Sequence, residues 1–185
     1  MGYIYTQQWF NKSEVKRNLF KHIDFNEQRI LEIGCYEGLS SVFFADHCID
    51  HPRSTLTCVD PFLRADNDHA PLLQNNEEER FDVNMTLCKH REKIGIHKIT
   101  SDEFFEKNRS TYTFIYIDGS HEVEFIQRDM ENSFRVLEKN GVMWMDDYLG
   151  GDGIQIRRTM DAFVEKYKDK LMVIHREYQL AIRKL

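Results

Sequence analysis

Apolar runs that stop on carboxylates constrain this chain most. Tyr112-Thr-Phe-Ile-Tyr-Ile runs into Asp118-Gly-Ser-His121, and Val142-Met-Trp-Met runs into Asp146-Asp147-Tyr148. Arg29-Ile-Leu-Glu32-Ile ends at Gly34, and Ser54-Thr-Leu-Thr-Cys-Val ends on Asp60. Short apolar runs of this kind read as strands buried on both faces. The stretches between them carry apolar residues at helical spacing, so strands and helices alternate. That pattern implies a mainly parallel sheet with helices on both faces, a Rossmann-like α/β fold. Open α/β sheets place their chemistry beyond the carboxyl ends of the strands. Asp118, Asp146, Asp147 and His121 therefore share one rim, where three carboxylates suit a hard divalent cation and an imidazole suits a base.

The elements are expected in the following order. Residues 1–27 form an arm (1–12) and a helix, capped by Ser13 and running to Asp24 with Val15, Leu19, Phe20 and Ile23 inward. The strand at Arg29 leads through a glycine-bearing turn into a helix beginning at Leu39. Residues 61–76 contain Pro61, Pro71, Asp66 and His69 and read as an irregular loop or short helix, followed by a helix from Glu77 to about Arg91. A third strand covers Ile94 to Thr100, and Ser101-Asp102 caps a brief helix with Phe104 and Phe105. A long helix covers Val123 to Leu137 and stops at Asn140-Gly141. The strand Val142–Met145 follows, with Trp144 in the core, and then a loop over 148–154. A helix covers Ile154 to Tyr167. Two last apolar runs, Leu171–Ile174 and Tyr178–Ile182, joined at His175-Arg-Glu, predict a closing hairpin whose last strand is antiparallel. The expectation is one domain over 1–185 with a seven-stranded sheet.

Charge and composition exclude several partners. The net charge of −6 argues against a general nucleic-acid or membrane-surface binder. No apolar run approaches the roughly 20 residues that span a bilayer. The start, Met1-Gly-Tyr-Ile-Tyr-Thr, has no basic segment followed by an apolar one, so a cytoplasmic location is expected. Cys35, Cys48, Cys58 and Cys88 have no C-x-x-C spacing and read as reduced, mostly buried thiols.

The turn Glu32-x-Gly34-x-x-x-Gly38 lets the backbone approach a ligand closely, and Asp60 can accept hydrogen bonds from ribose hydroxyls. The G-x-G-x-x-G spacing of dinucleotide folds is missing, as is a Tyr-x-x-x-Lys pair.

Arg29-Ile-Leu-Glu-Ile-Gly-Cys-Tyr-Glu-Gly-Leu-Ser-Ser-Val resembles the first motif of class I S-adenosylmethionine-dependent methyltransferases, and its form is closest to the metal-dependent branch that includes catechol O-methyltransferase. Asp118-Gly-Ser-His and Gly141-Val-Met-Trp-Met-Asp-Asp-Tyr resemble the small-molecule and sugar branch, such as the macrolide-sugar O-methyltransferases. The resemblance covers about residues 28–182.

The resemblance implies that Glu32, Gly34 and Tyr36 line the methionine end of the cofactor and that Ser40 holds its carboxylate. It implies that Asp60 takes the ribose hydroxyls and that Ser101 and Asp102 flank the adenine. Asp118, which would also contact the cofactor, would bind Mg²⁺ or another divalent cation together with Asp146 and Asp147, and His121 would be the general base beside the metal. The implied reaction is methylation of a hydroxyl on a small molecule, a sugar or glycoside. The chemistry is consistent: binding two adjacent hydroxyls to a cation lowers the pKa of the attacking one, and an imidazole with an ordinary pKa near 6.5 takes its proton at neutral pH.

The short amino-terminal segment leaves closure of the acceptor site to the 61–80 loop, the 148–154 loop or a neighbouring subunit, and a homodimer is expected. Competing readings are an NAD- or nucleotide-sugar-binding Rossmann enzyme and a non-catalytic S-adenosylmethionine-binding subunit. Calorimetry with S-adenosylhomocysteine and with NAD separates the first. The intact carboxylate set argues against the second.

Overall fold

The computed structural model describes residues 2–24, 26–63, 76–150 and 154–185. Its strands are β1 (Arg29–Ile33), β2 (Thr55–Val59), β3 (Ile94–His97), β4 (Tyr112–Ile117), β5 (Leu137–Met145), β6 (Leu171–Arg176) and β7 (Leu180–Lys184). The helices are α1 (Glu14–Asn18), α2 (Leu39–His47), α3 (Glu77–Leu87), α4 (Ser101–Lys107), α5 (Val123–Val136) and α6 (Ile154–Lys166). All seven strands form one sheet in the order β3-β2-β1-β4-β5-β7-β6. Pairing is parallel from β3 through β5, while β7 runs antiparallel to both β5 and β6. The expected seven strands and reversed last strand are present.

Strict alternation inside the strands builds two cores. Ile30, Phe114, Tyr116, Val142 and Trp144 face one layer with Val15 of α1, Phe44 of α2 and Phe81 of α3. Leu31, Ile33, Ile115, Ile117, Met143 and Met145 face the other with Phe104 of α4, Met130 of α5 and Phe163 of α6. Burial on both faces is why these runs read as continuous apolar stretches. Trp144 is fully buried, as expected. All four cysteines are buried and unbridged. Among the described residues, no helix is long and apolar enough to cross a membrane.

The strand order reverses direction between β1 and β4, and this switch point sets the position of the site. The amide of Asp118 donates to Ile33 O at 2.8 Å, and the amide of Asp146 donates to Ile117 O at 2.9 Å. The ends of β1, β4 and β5 are thus stitched side by side.

Several boundaries differ from expectation. The helix begun at Ser13 lasts only to Asn18, followed by a single 3₁₀ turn over Leu19–Lys21. Ser13 does not cap it, because its hydroxyl donates to Gln179 Oε1 at 3.1 Å. α3 ends at Leu87 and β3 at His97. Thr100, not Ser101-Asp102, caps α4, in a reciprocal capping box with Glu103. α5 gives way directly to β5 at Leu137, and Asn140-Gly141 lies inside that strand at a register shift against β4. The hairpin turn falls at 177–179, later than His175-Arg-Glu, since β6 extends to Arg176. Asp66, His69 and Pro71, with most of the 61–80 loop, and residues 151–153 of the 148–154 loop lie outside the described residues.

Candidate active site

Gly34 sits where the chain leaves β1, with φ +84°. A Cβ there would lie 1.9 Å from Asp118 O and 2.7 Å from the Gly119 Cα. Only glycine permits this crossing of the loops after β1 and β4. Gly34→Ala is therefore expected to cost at least about 2 kcal/mol, from the backbone clash and the positive φ together. A urea melt that shows an unchanged midpoint would remove this account of the crossing.

The loop that follows is held from below by Asp60. Its Oδ2 accepts from the amides of Cys35 at 2.7 Å and Tyr36 at 3.0 Å, and Oδ1 accepts from the Phe62 amide at 2.7 Å. Tyr36 takes φ +49°, which a residue with a side chain adopts only when its surroundings impose it. Asp60, Gly34 and Tyr36 are thus brought to one loop, each partly exposed.

Glu32 and Ser40 are placed differently from expectation. The Glu32 carboxylate is fully buried, accepting from Ser40 Oγ and from Ser41 Oγ at 2.5 Å, with Cys58 Sγ 3.7 Å away. Ser40 is itself buried. Both side chains therefore pin α2 to β1 and present no polar atom to the rim. Burial pushes the Glu32 carboxyl up to about 7 against the hydrogen bonds that lower it. A carboxyl raised on folding is held protonated in the native state, so its ionisation costs stability as pH rises from the unfolded value near 4.5 through about 7. Glu32→Gln cannot ionise. Wild type is expected to lose on the order of 3 kcal/mol relative to Glu32→Gln between pH 4.5 and 8. A stability difference that does not vary with pH would overturn this.

Ser101 and Asp102 open α4 instead of ending β3. Ser101 bonds the buried Asp129 of α5, whose carboxyl burial raises to about 6. Asp102 pairs with Arg128 at 3.0 Å.

At the ends of β4 and β5 the carboxylates crowd together. The buried Tyr116 hydroxyl lies 2.6 Å from Asp146 Oδ2 and 3.1 Å from Asp118 Oδ2. Asp146 Oδ1 accepts from the Asp147 amide at 2.8 Å. Asp147, at φ +57°, points its carboxylate the other way. Its Oδ2 meets His121 Nε2 at 2.8 Å and its Oδ1 accepts from the Tyr178 hydroxyl at 2.8 Å. Burial and the facing Asp146 and Asp147 push Asp118 well above the usual carboxylate range. Burial, with Asp147 adding to it, also raises Asp146. Burial opposes ionisation of Asp147 too, but the bonds from His121 and Tyr178 outweigh it and hold that carboxyl below the usual range.

Asp118, His121 and Asp147 each offer a ligand atom, all within 4.8 Å of one another. The two carboxylates, Asp118 and Asp147, fit a hard divalent cation such as Mg²⁺ or Mn²⁺, which oxygen ligands suit, whereas the imidazole nitrogen as a third ligand suits softer ions such as Zn²⁺ better. The set differs from the expected trio. Asp146 is turned to Tyr116 and the Asp147 amide, and His121 takes the third corner through its contact with Asp147. A cavity of about 20 Å³, room for one water-sized occupant, lies under these residues with Met130, Met145 and Met160 among its walls.

A family of methyltransferase domains matches residues 31–148, more than half of the chain, from within β1 to the end of this cluster. The chain belongs to this methyltransferase family. No curated protein matches the methyltransferase in sequence. Solved structures share its fold at low identity. A provisionally designated rRNA methylase from Clostridium thermocellum is 11% identical, with 98% of each chain covered and a TM-score of 0.72. The O-methyltransferase TomG from Streptomyces achromogenes, involved in tomaymycin synthesis and solved with S-adenosylmethionine, is 13% identical, with 92% of this chain and 78% of that one covered and a TM-score of 0.66. A Bacillus cereus O-methyltransferase solved with S-adenosylhomocysteine is 13% identical, with 85% and 74% covered and a TM-score of 0.58. The class I fold and the family make S-adenosylmethionine the methyl donor of this methyltransferase.

Three residues in contact with the site escaped the sequence reading. Tyr116 stands two residues before Asp118 on the same face of β4, and period-two alternation was a signal that could have found it. Tyr178 reaches Asp147 from the hairpin turn, a contact with no local signal. Glu37, next to Tyr36, is a buried acid in a loop, and burial of that kind is not visible in spacing.

Proposed function

We propose that the methyltransferase moves the methyl group of S-adenosylmethionine to a hydroxyl of a small molecule, a sugar or glycoside, with Mg²⁺ or another divalent cation at Asp118 and Asp147 and His121 as the base. The observation that carries this reading is the His121 Nε2 to Asp147 Oδ2 contact at 2.8 Å, made beside Asp118 and one loop from the Gly34 crossing. When bound there, the cation supplies acidification and orientation of adjacent acceptor hydroxyls. Asp147 Oδ2 accepts a hydrogen bond from Nε2–H and so fixes the tautomer whose basic nitrogen is Nδ1. His121 takes the hydroxyl proton at Nδ1, and the ionised Asp147 stabilises the imidazolium that results. The oxygen–methyl bond forms as the sulfonium–methyl bond breaks, and S-adenosylhomocysteine leaves. Asp60, Gly34 and Tyr36 hold the cofactor, with Ser101 and Asp102 on its adenine side. Glu32 and Ser40 support this loop from within.

A net charge of −6 and a carboxylate-lined rim disfavour a polyphosphate acceptor such as RNA. The deciding experiment is a methyl-transfer screen over nucleotide sugars, free glycosides and catechols, with Mg²⁺ and with EDTA. Product formed from a glycoside and lost in EDTA is the expected result. Full activity in EDTA would remove the cation, and activity on catechols alone would remove the sugar.

A further inference from the structure

The amino-terminal arm is built into the loop that follows β1. Glu37, the residue after Tyr36, is 1% exposed, yet it lies in a loop. Its carboxylate accepts from the Thr6 amide at 2.6 Å, the Thr6 hydroxyl at 2.6 Å and Arg80 Nε at 2.5 Å. Asn84 of α3, fully buried, completes the tie. Its Nδ2 donates to Glu37 O and to Ile4 O, both at 2.8 Å, and its Oδ1 accepts from the Ile4 amide at 2.8 Å. Beyond Thr6, the Trp9 ring packs on the Tyr36 ring at 5.5 Å with a 31° tilt. Phe10 is buried against Phe43, Phe44 and Tyr116, the tyrosine that touches Asp118 and Asp146. A buried acid is costly unless its hydrogen bonds are filled, so Glu37 holds the arm and loop to one arrangement. Trp9 nevertheless remains 66% exposed, although it is the residue the arm delivers to Tyr36. The ring is large and amphipathic and is held on Tyr36, so a ligand seated on that loop would cover it.

We propose that the arm is a wall of the cofactor site and that Glu37 is its positioning residue, fixing the arm so that Trp9 and Tyr36 close over S-adenosylmethionine. The proposal rests on the family's use of that cofactor. Asp60 grips the loop from below through the Cys35 and Tyr36 amides, and the arm grips it from above through Glu37. Tyr36 keeps its left-handed backbone between the two grips. Loosening the upper grip leaves the sheet and both cores intact but lets the cofactor loop relax.

The chain carries its own reporter. Of its two tryptophans, Trp144 is fully buried and Trp9 is exposed, so quenching of fluorescence by acrylamide reads Trp9. Saturating S-adenosylhomocysteine is expected to reduce the quenching constant of the wild type at least about threefold by covering the ring. Trp9→Ala is expected to raise the dissociation constant for S-adenosylhomocysteine about tenfold, read by calorimetry, with the melting temperature unchanged. Glu37→Gln is expected to raise it roughly ten- to a hundredfold and to abolish the protection of Trp9. Thr6→Val, which removes one hydroxyl and keeps the Thr6 amide bond, is expected to fall between wild type and Glu37→Gln while keeping a cooperative melt. Wild type that binds S-adenosylhomocysteine with Trp9 quenched as before would overturn the proposal, as would wild-type affinity in both Trp9→Ala and Thr6→Val. Absence of any binding by the wild type would instead remove the cofactor reading beneath it.

Discussion

Replacing His121 with Ala is expected to lower kcat about 10³-fold while the affinity for S-adenosylhomocysteine stays within about twofold. Removing a positioned base costs 10²- to 10⁴-fold when proton transfer accompanies the reaction. Here the imidazole also supports Asp147, so the larger half of that range applies. Cofactor affinity is spared because the loop that carries Gly34, Tyr36 and Glu37 is held by Asp60 and the amino-terminal arm, none of which touches His121 in the contacts described above. Most of the His121 side chain faces solvent, 69% exposed, so the substitution leaves the core unchanged and the protein should melt as wild type does. Two measurements on one preparation decide the matter: initial rates with saturating cofactor, and calorimetry with S-adenosylhomocysteine. Loss of rate and of cofactor affinity together would make His121 a structural residue. Wild-type rates would move the base elsewhere.

How much of this was legible beforehand depended on whether the information was local. β1, β2, β4 and β5 were readable because both faces are buried and each run ends abruptly at a glycine or an acid, and the sheet follows from their alternation with helices. Helix ends were less legible. Ser13 has the chemistry of a cap, yet its hydroxyl is drawn to Gln179, a residue 166 positions away that also accepts from Trp144 Nε1. Asn140-Gly141 has the chemistry of a helix stop, but Leu137 already pairs with Tyr112 and the strand has begun. Site residues divide in the same way. Asp118, Asp147 and His121 were legible because strand ends fix where their Cα atoms go. The direction of each side chain was not. Glu32 lies on a strand whose neighbours are all core, and its carboxylate finds Ser40 and Ser41 inside the protein before it finds solvent. Asp146 and Asp147 are adjacent in sequence but point apart, because the positive φ of Asp147 rotates its side chain toward the hairpin turn. A motif specifies residue types at a rim, and tertiary contacts decide which of them face one another.

That divergence at Asp146 and Asp147 yields the sharpest test of the site. Asp147→Asn is expected to lower kcat about 10³-fold and to abolish measurable Mn²⁺ binding, whereas Asp146→Asn should cost only about tenfold in either. Asp147 meets His121 at 2.8 Å and belongs to the set whose ligand atoms lie within 4.8 Å of one another. An amide in its place offers one neutral oxygen and a nitrogen that cannot ligate, and it no longer stabilises an imidazolium. Asp146 spends one oxygen on the Tyr116 hydroxyl at 2.6 Å and the other on the Asp147 amide at 2.8 Å. It orients its neighbours, and Asn retains an acceptor oxygen for one of those bonds. Loss of an outer partner of this kind typically weakens a metal site by 10- to 100-fold without removing it. Mn²⁺ serves as the probe because its binding can be followed by calorimetry and by its own paramagnetism, independently of turnover. Equal losses in the two variants would restore the symmetrical trio of Asp118, Asp146 and Asp147 that the strand ends suggest. Unchanged turnover in Asp147→Asn would remove both the cation and the His121–Asp147 pair from the reaction.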